Sequence, residues 1–232
     1  MTGQAGLRRF VRPPAGRVPV PPVVDSPVVD SPVVDSALPA SSPERCEMCA
    51  AEIPAEHGHI ADLEGASLLC ACRACYLLFT QRSAGRGRYR AVPDRYLTDP
   101  EHVMAPAEWD QLEIPVGLAF FLRTSRDGGG LTGFYPSPAG VTECILDLHL
   151  WQQLVADYPL LGAPDVDVEA ALISRSGDGV EYFLVPIDAC YELAGRMRLH
   201  WHGFDGGTEA RASIDAFLAG LRQRARPFSQ ED

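Results

Sequence analysis

From residue 96 onward, the apolar residues fall into short runs and helical stripes. Val116–Leu122 is a continuous apolar run that reads as a strand. After the turn signal Asp127-Gly128-Gly129-Gly130, Leu131–Tyr135 reads as a second strand. Val141–Ile145, beyond the Pro136-Ser137-Pro138 loop, reads as a third. Apolar positions 146, 150, 151, 154 and 155 then follow the helical period, predicting a helix over Leu146–Tyr158. Val166–Ser174 and Val180–Val185 flank Gly177-Asp178-Gly179, a hairpin signal. Pro186 suits the first turn of a helix running to Arg196. Leu199–His202 reads as a short strand. Thr208 is placed to cap a last helix to about Arg224, with Ile214, Phe217, Leu218 and Leu221 on its buried face. The expectation for residues 96–232 is therefore an α+β domain with a mainly antiparallel sheet and about three helices.

The pattern ahead of this domain is different. Pro22–Ser36 holds three copies of P-V-V-D-S. A proline every fifth residue blocks both helix and sheet ladder, so residues 1–43 read as a disordered, polyproline-like tether. Residues 44–83 carry two short apolar segments, His59–Leu63 and Ser67–Ala71, on either side of Glu64-Gly65, which predicts a hairpin. Cys75 runs into Tyr76–Arg82, a two-turn helix expected to stop near Gly85 and Gly87. Residues 84–95, with Arg82 just before them, gather Arg82, Arg86, Arg88, Arg90 and Arg95 around Tyr89 and read as a solvated, Arg-rich hinge.

Candidate chemistry is concentrated in the small module. Cys46 and Cys49 form one C-x-x-C pair, Cys72 and Cys75 another, and residues 50–71 lie between them. Two such turns supply the four soft ligands of tetrahedral zinc, with bonds of about 2.3 Å. A module of this size buries too little apolar surface to be secure alone, and a structural metal makes up the difference. Knuckle, hairpin, then two cysteines at a helix N-terminus resembles the treble-clef zinc fingers, with a zinc ribbon as the nearest rival. Cys70 is a surplus thiol, and we assign the second pair's ligation to Cys72. Cys70, His57 and His59 stand as candidate additional ligands. Spacing alone leaves iron as the alternative metal. Rubredoxin also uses two C-x-x-C pairs, but with Pro or Gly beside the cysteines, whereas here they read C46-E-M-C49-A and C72-R-A-C75-Y.

Elsewhere the signals are weaker. His200 and His202 alternate on the presumed strand and, with Asp205, are candidates for a second site beside the Gly-rich approach to the last helix. Asp165, Asp167 and Glu169 alternate as on a solvated sheet face. Cys144 and Cys190 read as structural thiols. Walker, G-x-G-x-x-G, H-E-x-x-H and G-x-S-x-G motifs are all missing from the sequence, so the reading leans away from an enzyme and names no catalytic residue.

Charge and cysteine usage narrow the class. Formal net charge is -11, and all 20 basic residues are arginine; an acidic chain is a poor general ligand for phosphate. A regulator binding nucleic acid through Arg82–Arg95 is accordingly the second alternative. The apolar runs fall short of the ~18 residues a membrane span needs, and the N-terminus lacks the apolar segment of a signal peptide. Seven cysteines, five of them between 46 and 75, suit metal ligands in a reducing compartment, so a cytoplasmic location is expected.

Four stretches, Arg45–Cys49, Leu68–Cys75, Val185–Leu193 and Leu199–Gly203, together resemble an uncharacterised actinobacterial family encoded beside nickel–iron hydrogenase genes. The resemblance covers about residues 44–228. It implies an accessory protein for hydrogenase maturation, assembly or electron transfer, with a hydrogenase subunit or maturation factor as its partner. A rubredoxin-like iron carrier is the first alternative within that context.

Overall fold

The computed structural model describes residues 43–126, 129–137, 140–177, 179–201 and 206–229. The P-V-V-D-S repeats, and with them nearly all of the 1–43 tether, lie outside the described residues. The described chain is α+β and its sheets are almost wholly antiparallel.

The larger sheet has seven strands: β4 (Leu97–Thr98), β5 (Leu118–Thr124), β6 (Gly130–Ser137), β7 (Gly140–Cys144), β8 (Glu169–Ser176), β9 (Gly179–Pro186) and β10 (Arg226–Pro227). Their order is β10-β4-β9-β8-β5-β6-β7, and only β10 and β4 run parallel. Both faces are covered, which explains the apolar runs Leu118–Leu122 in β5, Ala170–Ile173 in β8 and Tyr182–Val185 in β9. Phe120, Leu172, Phe183 and Val185 point to one side, where α4 (Ile187–His200) and α5 (Gly207–Arg224) contribute Leu193, Met197, Phe217 and Leu221. Phe121, Ile173, Tyr182 and Leu184 point to the other, toward Trp109 of α2 (Pro106–Asp110) and Trp151 and Leu154 of α3 (Leu148–Asp157). One of these aromatic contacts, Phe121 on Trp151, has ring centroids 4.6 Å apart.

Two expectations for this domain are corrected. Leu199 and His200 are not strand residues but the last turn of α4, with Trp201 as its C-cap. The buried positions Cys190, Leu193 and Met197 carry the helical period past Arg196, and the H-W-H alternation mimicked a strand. His202 and Asp205 lie outside the described residues. Nor does Thr208 cap α5; the cap is Gly206 at φ 82, followed by Gly207 at φ 75, a left-handed entry that glycine makes freely.

The smaller sheet has the order β2-β1-β3, from β1 (Gly58–Asp62), β2 (Ser67–Ala71) and β3 (Tyr89–Ala91). β3 arises within residues 84–95, read above as a hinge, and pairs with the outer side of β1 at Ile60↔Ala91, Ala61↔Arg90 and Asp62↔Tyr89. Its arginines are held by carboxylates. Arg88 grips the buried Asp62 through two bonds of 3.1 and 2.8 Å, and holds that carboxyl below its ordinary range. Arg82 and Arg90 meet Asp165. Arg95 makes a two-pronged pair with Glu169 at 2.9 and 2.6 Å. Asp165, Asp167 and Glu169 thus do not form a solvated face. Glu169 is fully buried, and Asp167 instead accepts from the Ser125 amide and hydroxyl, both at 2.7 Å.

Candidate metal centre

Three local structures bring four sulfurs together. The first is the turn that opens the module. There Cys46 N–H donates to Ala51 O at 2.8 Å and Ala50 N–H to Cys46 O at 2.7 Å, while Arg45 and Glu52 bridge the turn's two ends. Ala50, the residue just after the first pair, sits at φ 61, a left-handed conformation that costs an L-residue about 1–2 kcal/mol. Replacing it with glycine (Ala50→Gly) is expected to raise stability by about 0.5–1 kcal/mol, read as a higher thermal midpoint with metal content unchanged. A lower midpoint would contradict this account of the turn.

The second structure is the hairpin. Cys70 O accepts from Glu47 N–H at 2.9 Å and Cys70 N–H donates to the Glu47 carboxylate at 2.6 Å, which ties the end of β2 to the first turn. The third is α1 (Arg73–Leu78), for which Cys72 is the N-cap and Cys75 lies in the first turn. Cys75 N–H points at Cys72 Sγ over 3.5 Å. Helix α1 is shorter than the sequence predicts. It ends at Phe79, whose carbonyl accepts from Ala91 N–H and whose ring packs on Tyr89, so that pairing with β3 replaces a further turn. The helix lies close on β1: a Cβ at Gly58 would stand 2.6 Å from Tyr76 Cδ2.

Cys46, Cys49, Cys72 and Cys75 present sulfurs that all lie within 4.8 Å of one another. Cys49 and Cys72 are 3.7 Å apart. A tetrahedron with metal–sulfur bonds of about 2.3 Å has edges of about 3.8 Å, so the spacing fits a single ion. Cys46 and Cys75 are buried, with Ile53, Ile60 and Ala71, in a core of only five buried residues, whereas Cys49 is exposed.

The electrostatics also suit a cation. Burial works to raise the Cys46 thiol, but amides of Cys72, Met48 and Cys49 donating to its sulfur overcome this and bring it down to about 6. Cys75 is pushed up to about 12, first by its contact with Cys49 and then by burial. Four thiolates cannot crowd together without a positive charge among them, and a divalent ion supplies it.

The remaining candidates separate from this group. His57, His59 and Cys70 gather as a second cluster, also within 4.8 Å of one another. His200 stays on α4. Cys144 is half-buried and Cys190 is buried, and burial pushes both thiols up. Asp188 and Glu47 also stand beside this second cluster, although no sequence motif marks them. Asp188 stands 129 residues from His59, the side chain it contacts, and no local pattern announces such a contact. Among the described residues no helix is long and apolar enough to cross a membrane.

No curated protein and no solved structure matches the chain. A family model, that of a family of unknown function (DUF5947), matches residues 45–225. That span takes in the thiolate cluster, the smaller sheet, every strand of the larger sheet but β10, and helices α1 to α5, and the chain belongs to this DUF5947 family.

Proposed function

We propose that the protein is a non-enzymatic, cytoplasmic accessory protein whose four-cysteine site holds a structural zinc ion, and that it acts in nickel–iron hydrogenase maturation or assembly through protein–protein contacts. In this reading residues 1–43 are a tether, and the module of residues 44–83 and the domain of residues 96–232 together bind a hydrogenase subunit or maturation factor.

The observation that carries the zinc reading is the sulfur cluster. Four protein thiolates close the coordination sphere and leave no position for substrate, which is the arrangement of a structural site. The hydrogenase context rests on the four sequence stretches noted above. A nucleic-acid regulator is disfavoured, because Arg82, Arg88, Arg90 and Arg95 are already engaged with Asp165, Asp62 and Glu169. The exposure of Cys49 favours one rival, a rubredoxin-like iron carrier, since a ligand at the surface shortens the path for an electron.

The test has two arms. Anaerobically purified protein is expected to be colourless and to contain zinc; the visible bands of an iron–thiolate centre would overturn the zinc reading in favour of the carrier. Deleting the gene from a host with a nickel–iron hydrogenase is expected to lower hydrogenase activity at least tenfold. Wild-type protein restores it and the Cys46→Ser variant does not. Unchanged activity in the deletion strain would remove the hydrogenase role.

A further inference from the structure

The second cluster lies on the other face of the hairpin that carries the four-cysteine site. Side chains alternate along a strand, so His57 and His59 share one side of β1 and its lead-in, and Ile60 takes the other. Cys70 is the direct cross-strand partner of His59 in the β1–β2 pairing, and directly opposed residues project from the same face. Ile60 and Ala71 point into the small core beside Cys46 and Cys75. The opposite side, from Ala61, meets the core beneath α4 and α5.

Each imidazole is backed by an oxygen acceptor. His57 Nδ1 is 3.0 Å from Pro54 O. A carbonyl can only accept, so Nδ1 carries the proton and Nε2 keeps its lone pair. That Nε2 atom is buried and has no hydrogen-bond partner among the described residues, and the His57 side chain is only 8% exposed. His59 Nδ1 lies 2.8 Å from Asp188 Oδ2, in the first turn of α4, which likewise leaves its Nε2 lone pair available. The other oxygen, Asp188 Oδ1, is buried and also without a partner. A histidine that only filled space would not need a buried, unpaired acceptor, which costs about 1–3 kcal/mol. An acceptor behind each ring is how proteins fix the tautomer and aim of metal-ligating histidines.

We infer that His57, His59 and Cys70 form a second metal site, separate from the four-cysteine centre, that takes a zinc-like divalent cation and holds it against α4 through Asp188. Two imidazoles and one thiolate suit zinc or cobalt(II) and are poor ligands for magnesium or calcium. Three protein ligands leave a fourth position for water or an exogenous donor, unlike the closed four-sulfur set. The carboxylates of Asp188, Glu47 and Glu44 near the cluster favour the cation further; Glu44 Oε2 stands 3.7 Å from His57 Nδ1. The inference does not depend on the four-cysteine site's being a zinc staple, because the two ligand sets share no residue.

The test is metal stoichiometry on the full chain, with zinc or cobalt(II) as the only added metal. Wild-type protein dialysed against zinc is expected to retain two ions per chain, and X-ray absorption at the zinc edge should show imidazole scattering beside sulfur. The Cys70→Ala variant and the His57→Gln variant, with unchanged far-UV circular dichroism, should each retain one ion in an all-sulfur shell. Cys46→Ser, which opens the whole module, should lose both ions, so the two sites are told apart by the single all-sulfur ion that Cys70→Ala and His57→Gln keep. If the wild type holds a single ion with an all-sulfur shell, the inference is overturned whether or not the variants fold. It is also overturned if Cys70→Ala and His57→Gln still hold two.

Discussion

Arg95→Ala is expected to lower stability by about 3–5 kcal/mol, because it strands a buried carboxylate without its counter-charge. Glu169 is wholly excluded from solvent, whereas the Arg95 side chain keeps 23% of its surface. The two halves of the pair are therefore unequal. With Glu169 removed, Arg95 can turn toward water; with Arg95 removed, Glu169 has nowhere to go. Glu169 also accepts from the Asp165 amide at 2.8 Å, so Glu169→Gln, which keeps that acceptor, should cost less than Arg95→Ala. Urea midpoints of the two variants check this order. A loss below about 1 kcal/mol for Arg95→Ala would mean that the pair behaves like an exposed ion pair.

Metal removal should have the other large effect. Structural zinc contributes about 10–16 kcal/mol of apparent binding free energy in small finger modules, far more than a core of Cys46, Ile53, Ile60, Ala71 and Cys75 can replace. Chelation, or Cys46→Ser, is expected to open residues 44–91 while β5, β8 and β9 stay protected, since those strands sit between two apolar layers of their own. Hydrogen exchange followed by mass spectrometry reads both regions at once. Equal protection of residues 44–91 with and without chelator would show that the hairpin stands without metal.

Much of this architecture was legible in the sequence, for identifiable reasons. The β8–β9 hairpin announced itself through two apolar runs around Gly177 and Gly179, and the structure pairs them from Glu169↔Pro186 to Ser176↔Gly179. Helix α3 was legible from its stripe, although its true cap is Asp147, which accepts from His149 and Leu150 amides. The thiolate cluster was legible because both of its halves are local turns. What escaped was non-local or very short. β4 and β10 are two-residue strands joined only to each other and to β9, too brief to show a period. β3 was hidden behind its arginines, whose charges suggested solvent when their partners were Asp62 and Asp165. The likeness of H-W-H to a strand failed because the burial of Leu193 and Met197, not local alternation, decided the outcome.

The spacing of these contacts along the chain also orders them in time. The four sulfurs come from residues 46–75, and Cys49 and Cys72 are 23 residues apart. Arg95 waits 74 residues for Glu169, Arg90 waits 75 for Asp165, and His59 waits 129 for Asp188. At about 5–20 residues per second of synthesis, the ribosome delivers a complete four-thiolate set several seconds before the side chains that dock against it. The hairpin can thus be sealed while α4 has yet to be made, presenting its charged face to water until the rest of the polypeptide arrives. Cellular metal supply would then act on the nascent chain, upstream of the finished protein.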